Sequence, residues 1–189
     1  MKQLIIYSHP NPLSFNHAIL NTLTKALQAK GDEVVVRDLY ALKFDPALKA
    51  ADFEAIQKGG VTEDVKAEQD QIRWAEVITF IFPVWWASMP AITKGYIDRV
   101  LSHGFAYAYD ANGPRGLLHG KKVMIISTQG APEAYYAGNG MLQSMEQTIE
   151  LLKRSKVEED LMSLTNELKE SGKEQKELSE SEKSADDRM

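Results

Sequence analysis

Four short runs of apolar, largely β-branched residues punctuate the chain: LIIY at 4–7, VVV at 34–36, VITFIF at 77–82 and VMII at 123–126. They are continuous rather than alternating, which is the pattern of strands buried on both faces. Between them apolar residues return every three or four positions, predicting helices over 16–28, 65–74, 91–101 and 142–152. Ser14 stands where an N-cap belongs and Gly31 where the first helix should end. Strands alternating with helices make a doubly wound α/β fold with a parallel sheet. Residues 41–64, with FDPAL and KGGVTED, read as a long connection, a length that suggests a functional or interface loop.

The pattern changes after about Leu152. Residues 153–189 are roughly half charged, without aromatics or a β-branched run, so they hold no candidate strand. Val157, Leu161, Leu164 and Leu168 recur at spacings of four and three, the seam of an amphipathic helix over 157–169. Beyond Ser171 the composition is that of a disordered segment. The expected division is therefore a domain over 1–152 and a charged helical or disordered tail over 153–189.

Composition narrows the function classes. The 189 residues, 43% of them hydrophobic, suffice for one buried core. A formal net charge of -5 offers no basic footprint for phosphate backbones, so no nucleic-acid partner is expected. With no cysteine there is no thiol nucleophile or thiolate metal site, and the four His show no ligand spacing, so no metal is expected. MKQLIIY is too short an apolar run for a signal peptide and no stretch approaches spanning length, so the expectation is a cytoplasmic protein without membrane insertion.

In an open parallel sheet, ligands bind beyond the carboxyl ends of the strands. Three loops stand there. SHPNPLSFN follows strand one: a helix N-terminus capped by Ser14, with His9 and Asn16 as side-chain donors, would hold a phosphate without glycine. The same residues also read as a Pro-rich turn with a capping Ser. FPVWWASMP follows strand three, where prolines stiffen an apolar wall suited to a flat ring system, although Trp85 and Trp86 taken singly read as core or interface residues. STQGAPEAYYAGNG follows strand four: free amides near Gly130 would stabilise negative charge on a ring carbonyl and Tyr135 or Tyr136 would donate a proton, or the stretch is a flexible Gly-rich loop with surface tyrosines. The Gly-rich dinucleotide fingerprint, the P-loop and the nucleophile elbow are all missing from the sequence.

His9 with SFN at 14–16, FPVWWASMPAITKGYIDRV at 82–100, GFAYAY at 104–109 and STQGAPEAYY at 127–136, in that order and spacing, resemble the flavodoxin-like NAD(P)H:quinone oxidoreductase family over about residues 1–150. The resemblance implies a homodimeric flavoprotein with a flavodoxin-like sheet of order 2-1-3-4-5. Here the order would be 2-1-3-4, because the charged tail stands where the fifth strand should be. It implies that His9, Ser14, Phe15, Asn16 and Ala18 hold the flavin phosphate region. Pro83, Val84, Trp85 and Trp86 would run beside the ring, and Thr128, Gln129, Gly130 and Tyr135 would close on its pyrimidine side. Phe105, Tyr107 and Tyr109 would line the partner subunit's substrate pocket.

The implied activity is that of an NAD(P)H dehydrogenase (quinone). NADH or NADPH would give a hydride to N5 of FMN or FAD and leave, and a quinone or similar small electrophile would take it from the same place in a ping-pong cycle. Gly130 and Tyr135 would be the catalytic pair, stabilising charge on the reduced ring. The alternative is a flavin-binding ancillary subunit of a potassium efflux system, which subunits of this family also resemble. Two features depart from the family. Ala137, Gly138, Asn139 and Gly140 occupy positions where some members carry a proton-relaying His, and without a fifth strand KVMIIS would be an exposed apolar edge that the seam 157–168 is expected to cover.

Overall fold

The computed structural model describes residues 1–111, 113–138, 140 and 143. In chain order the elements are β1 (Lys2–Tyr7), α1 (Phe15–Ala29), β2 (Glu33–Asp38), α2 (Ala50–Gln57), α3 (Glu63–Trp74), β3 (Val77–Pro83), α4 (Ala91–Val100), β4 (Tyr107–Asp110), β5 (Gly113–Gly116), β6 (Lys122–Thr128) and α5 (Glu133–Gly138). The central sheet is parallel, in the order β2-β1-β3-β6, and β4 and β5 form a separate antiparallel pair. This is the flavodoxin-like order read from the sequence, with the expected fourth strand being β6 because a hairpin intervenes. The predicted helix over 142–152, the missing fifth strand, the boundary at 152 and the tail helix lie outside the described residues. Among the described residues no helix is long and apolar enough to cross a membrane.

Burial explains the runs. Every residue of β3 is buried, and five of the six in β1. Leu4, Ile6, Ile78, Phe80 and Phe82 pack with Ile72 of α3 and with Tyr96 and Val100 of α4 on one face. The alternate residues Ile5 and Ile81, fully buried, point to the opposite face, where α1 presents Leu20, Leu23 and Leu27. Ser14 caps α1 by accepting the His17 amide at 3.2 Å. The helix ends in a reciprocal pair of bonds, Asp32 N to Leu27 O and Gly31 N to Gln28 O, with Gly31 at φ +82°.

The connection 41–64 contains α2, which the sequence did not announce. Eight residues are too few to hold a helix alone, and this one is held by a distant cation. Arg99 of α4, whose side chain is 4% exposed, donates to both carboxylate oxygens of Asp52 at 3.1 and 2.9 Å and to the carbonyl of Asp45 at 2.8 Å. It also pairs with Asp64 at 2.8 Å. Asp52 in turn accepts from Lys49 N at 2.8 Å, closing the first turn of α2, and from Thr62 Oγ1 at 3.1 Å. Gly95, one turn before Arg99, lets the backbone at Pro46 come so close that an added Cβ would sit 2.2 Å from the Pro46 carbonyl oxygen.

Two outcomes follow from this clamp. Gly95→Ala raises helix propensity yet is expected to destabilise by about 2–3 kcal/mol, because the contact is with backbone that cannot yield cheaply, and circular dichroism should show Tm lower by about 4–12 °C. The Arg99 fork holds the Asp52 carboxyl below the usual carboxylate range, against the opposing effect of burial. A carboxyl so depressed stabilises fully above its unfolded value of about 3.9 and loses that contribution as pH falls through the folded value. Asp52→Asn is therefore expected to cost on the order of 3 kcal/mol at neutral pH, leaving Arg99 under-compensated, and to show a urea midpoint that changes less than wild type between about pH 5 and about pH 2.

Candidate functional site

The ladders set the rim of the site. Tyr7 pairs with Ile81 and Pro83 with Thr128, so β1, β3 and β6 stop beside one another and their following loops open on the same edge. Backbone and side chain then tie the loops together. Ser8 N donates to Ile81 O at 3.0 Å, Val84 N to Thr128 O at 2.7 Å, and Asn16 Nδ2 to Thr128 Oγ1 at 2.8 Å, across 112 positions of sequence. Between the loops lies an open cleft of about 680 Å³, within the usual range for small-molecule and cofactor sites.

The first loop contributes polar groups. His9, Ser14, Phe15 and Asn16 line the cleft at the start of α1. The amides of Phe15 and Asn16 lie in the first turn, where no intrahelical acceptor exists, at the positive end of the helix dipole. His9 Nδ1 accepts the Asn11 amide at 3.0 Å, so in the neutral ring Nε2 carries the proton and is a donor. Asn16 is 3% exposed, and with its Nδ2 committed to Thr128 its Oδ1 has no hydrogen-bond partner among the described residues. A buried acceptor left unpaired at a cleft wall is unfavourable until a donor arrives.

The second loop contributes the wall. Pro83, Val84, Trp85 and Trp86 line the cleft, with the His9 and Trp85 ring centroids 6.1 Å apart. Trp85 and Ser88 exchange both backbone bonds, at 2.9 and 3.1 Å, closing a two-residue turn whose central residues, Trp86 and Ala87, have φ of 51° and 58°. Turns of this shape normally use Asn or Gly at such positions, and a bulky residue there is strained. The effect is to hold the Trp86 indole wholly exposed, at 100%, and Trp85 at 42%. The third loop contributes backbone: Thr128, Gln129 and Gly130 line the cleft together with Ala131, and a Cβ built on Gly130 meets nothing within 4 Å.

Eleven of the residues read from the sequence are thus brought to one cleft, and others are not. Ala18 sits on α1, half-buried and outside the lining. Tyr135 lies on the six-residue α5, 61% exposed, and also outside it. Phe105 is packed against the core with Arg73 of α3 4.8 Å above its ring, whereas Tyr107 and Tyr109 are exposed on β4. None of these three lines the cleft of its own chain. Tyr136 belongs to α5 as well. Sequence reasoning missed Ala131, whose only signal is adjacency to Gly130, and the left-handed backbone at Trp86 and Ala87, which no residue type announces.

A flavin-type cofactor fits this donor set: amides, a hydroxyl and an imidazole at a helix start for phosphate, an apolar wall, and a loop opposite with open space at Gly130. Comparisons with known proteins bear on the fold and the family. Residues 1–184 match the model of a family described as having a flavodoxin-like fold. The chain is 40% identical over 146 residues to an uncharacterized NAD(P)H oxidoreductase of Haemophilus influenzae, covering 77% of this chain and 72% of that one. It is 30% identical to the solved NAD(P)H:quinone oxidoreductase of Methanothermobacter marburgensis, with a TM-score of 0.73 over 82% of this chain and 79% of that one. General stress protein 14 of Treponema denticola, solved in complex with FMN, is 26% identical with a TM-score of 0.53, covering 75% of this chain and 70% of that one.

The strained turn has a measurable consequence. Ala87→Gly relieves a left-handed conformation that costs a non-glycine residue about 1–2 kcal/mol, less the entropy that glycine loses on folding. The variant is expected to be more stable by about 0.5–1 kcal/mol, a Tm higher by about 1–4 °C in a thermal melt.

Proposed function

The chain belongs to the flavodoxin-like NAD(P)H:quinone oxidoreductase family, and from that membership we propose that it is an NAD(P)H dehydrogenase (quinone) that carries FMN in the cleft and works as a homodimer. The observation that supports this reading is the convergence of three chemically different loops on one rim: helix-end donors, an indole-bearing turn and bare amides. Bound there, the flavin supplies a single position that takes a hydride from NAD(P)H and passes it to a quinone or similar electrophile, in two successive half-reactions.

The chain's own residues do the rest. The amides of Phe15 and Asn16, the Ser14 hydroxyl and His9 Nε2–H orient the phosphate end. Pro83, Val84 and Trp85 exclude water from one flank of the ring. The amides of Gln129 and Gly130 would be the donors available to negative charge on a bound ring, where a single positioned donor of this kind is worth on the order of 3 kcal/mol. Tyr135, five residues beyond Gly130, is the hydroxyl assigned to that side as hydrogen-bond donor. Tyr107 and Tyr109, exposed and absent from their own cleft, serve the active site of a second copy, together with Phe105. No Gly-rich dinucleotide motif would be required if the nicotinamide shared one slot with the acceptor.

The test is reconstitution of the full chain with FMN. A visible flavin spectrum is expected, with NAD(P)H consumed only when menadione is supplied and parallel double-reciprocal plots as menadione is varied. A colourless chain after incubation with FMN overturns the reading. A flavin-loaded chain that oxidises no NAD(P)H with menadione overturns the enzymatic part of it.

A further inference from the structure

The exposed end of the hairpin carries an arrangement that the cofactor cleft does not use. His103, just after α4, lies with its ring nearly parallel to that of Tyr109, at 19° and 6.1 Å between centroids. It is edge-on to Tyr107 at 5.6 Å, and the two tyrosine rings are themselves perpendicular at 5.8 Å. Tyr107 and Tyr109 stand two residues apart on β4 and so share a face of the strand.

The base of this segment is anchored in the core, and its far end is carried by the β4–β5 pairing, with Tyr109 opposite Pro114. Ser102 is buried and accepts from Gln69 Nε2 at 3.1 Å, while the same amide nitrogen donates to Val100 O at 3.0 Å. Ser102 O receives the amides of Phe105 and Ala106, and Phe105 is pinned between the core and Arg73. Gly104 N donates to Tyr107 O at 2.8 Å, and His103 bridges to Tyr107 through the backbone. Beyond that point the side chain of Tyr109 is 66% exposed, and the rings of His103 and Tyr107 are what it rests on. Each such ring pair biases orientation only modestly, but on a side chain as exposed as that of Tyr109 a modest bias decides how the ring is presented.

We propose that His103 is a positioning residue that fixes the Tyr109 ring as a flat platform and thereby selects planar, fused-ring acceptors over single-ring ones. The inference rests on the reading that Tyr107 and Tyr109 serve an acceptor pocket, and it goes beyond that reading by assigning a selecting role to a residue outside it. A held ring loses less freedom when an acceptor stacks on it, and a wider acceptor overlaps it more. Removing the support therefore weakens binding of the wide acceptor and leaves the chemical step alone.

The experiment compares FMN-loaded full chains with menadione, a two-ring acceptor, and 1,4-benzoquinone, a one-ring acceptor. His103→Ala is expected to raise KM for menadione about two- to tenfold, with kcat and the KM for benzoquinone unchanged. His103→Phe, which can stack but cannot donate or accept a hydrogen bond, should restore the wild-type value. A menadione KM unchanged in His103→Ala but raised in Tyr109→Ala overturns the role of His103 and leaves the pocket in place. Equal losses for both acceptors, or failure of His103→Phe to restore the wild-type KM, also overturn it. If Tyr109→Ala alters neither acceptor, or the chain takes up no FMN, the pocket reading falls and the inference with it.

Discussion

Two parallel ladders hold β3 between β1 and β6, with Tyr7 opposite Ile81 and Pro83 opposite Thr128, so that three strands run out at the same level. Everything at the cleft rests on that alignment. A parallel strand shifted by one residue would turn its side chains to the other face of the sheet, and full burial of β3 makes such a shift very unfavourable. The loops therefore inherit their positions from the core. The short bonds from Val84 to Thr128 and from Asn16 to Thr128 then lock loops that are far apart in sequence.

The second dependence runs through α4. Its N-terminus follows the indole-bearing turn, and near its other end Arg99 gathers Asp52, Asp64 and the Asp45 carbonyl. One helix thus connects the strained part of the site to the least self-sufficient part of the fold. Two buried ionic centres flank it. Besides Arg99, Glu68 of α3 pairs with Arg37 of β2 and accepts from the Tyr96 hydroxyl at 3.3 Å, and burial together with the neighbouring Glu68 carboxylate pushes the Tyr96 hydroxyl well above its ordinary value. Tyr96 accordingly stays neutral and stays a donor. Buried charges that are fully paired in this way favour one arrangement of helices over others, because every alternative leaves an ion without its partner.

The sheet and the cofactor cleft were legible because their signals are local. The four apolar runs became the four strands of the sheet, each extended by one to three residues, and the Ser14 cap and Gly31 stop bracket α1 where the periodicity placed it. The three loops beyond the strand ends could be found by topology alone. What was not legible depends on partners far along the chain. α2 exists because Arg99, 47 residues beyond Asp52, supplies what its own sequence lacks. The β4 and β5 pair is four residues a side, with Gly and Pro in YAYD and GPRG weakening any strand pattern. The left-handed turn at Trp86 and Ala87 runs against residue preference altogether, as expected where a backbone is held for function rather than for stability.

Apart from His9, none of the described residues lining the cleft has an ionisable side chain, and the chain as a whole carries an excess of acidic groups. An anion seated there would meet amides, hydroxyls and the His9 ring rather than lysine or arginine. Electrolyte weakens attraction between separated charges but does little to hydrogen bonds made at contact. For a ligand held in that way the fit to the loop would count for more than long-range attraction, and the first turn of α1 is the part on which that fit would depend.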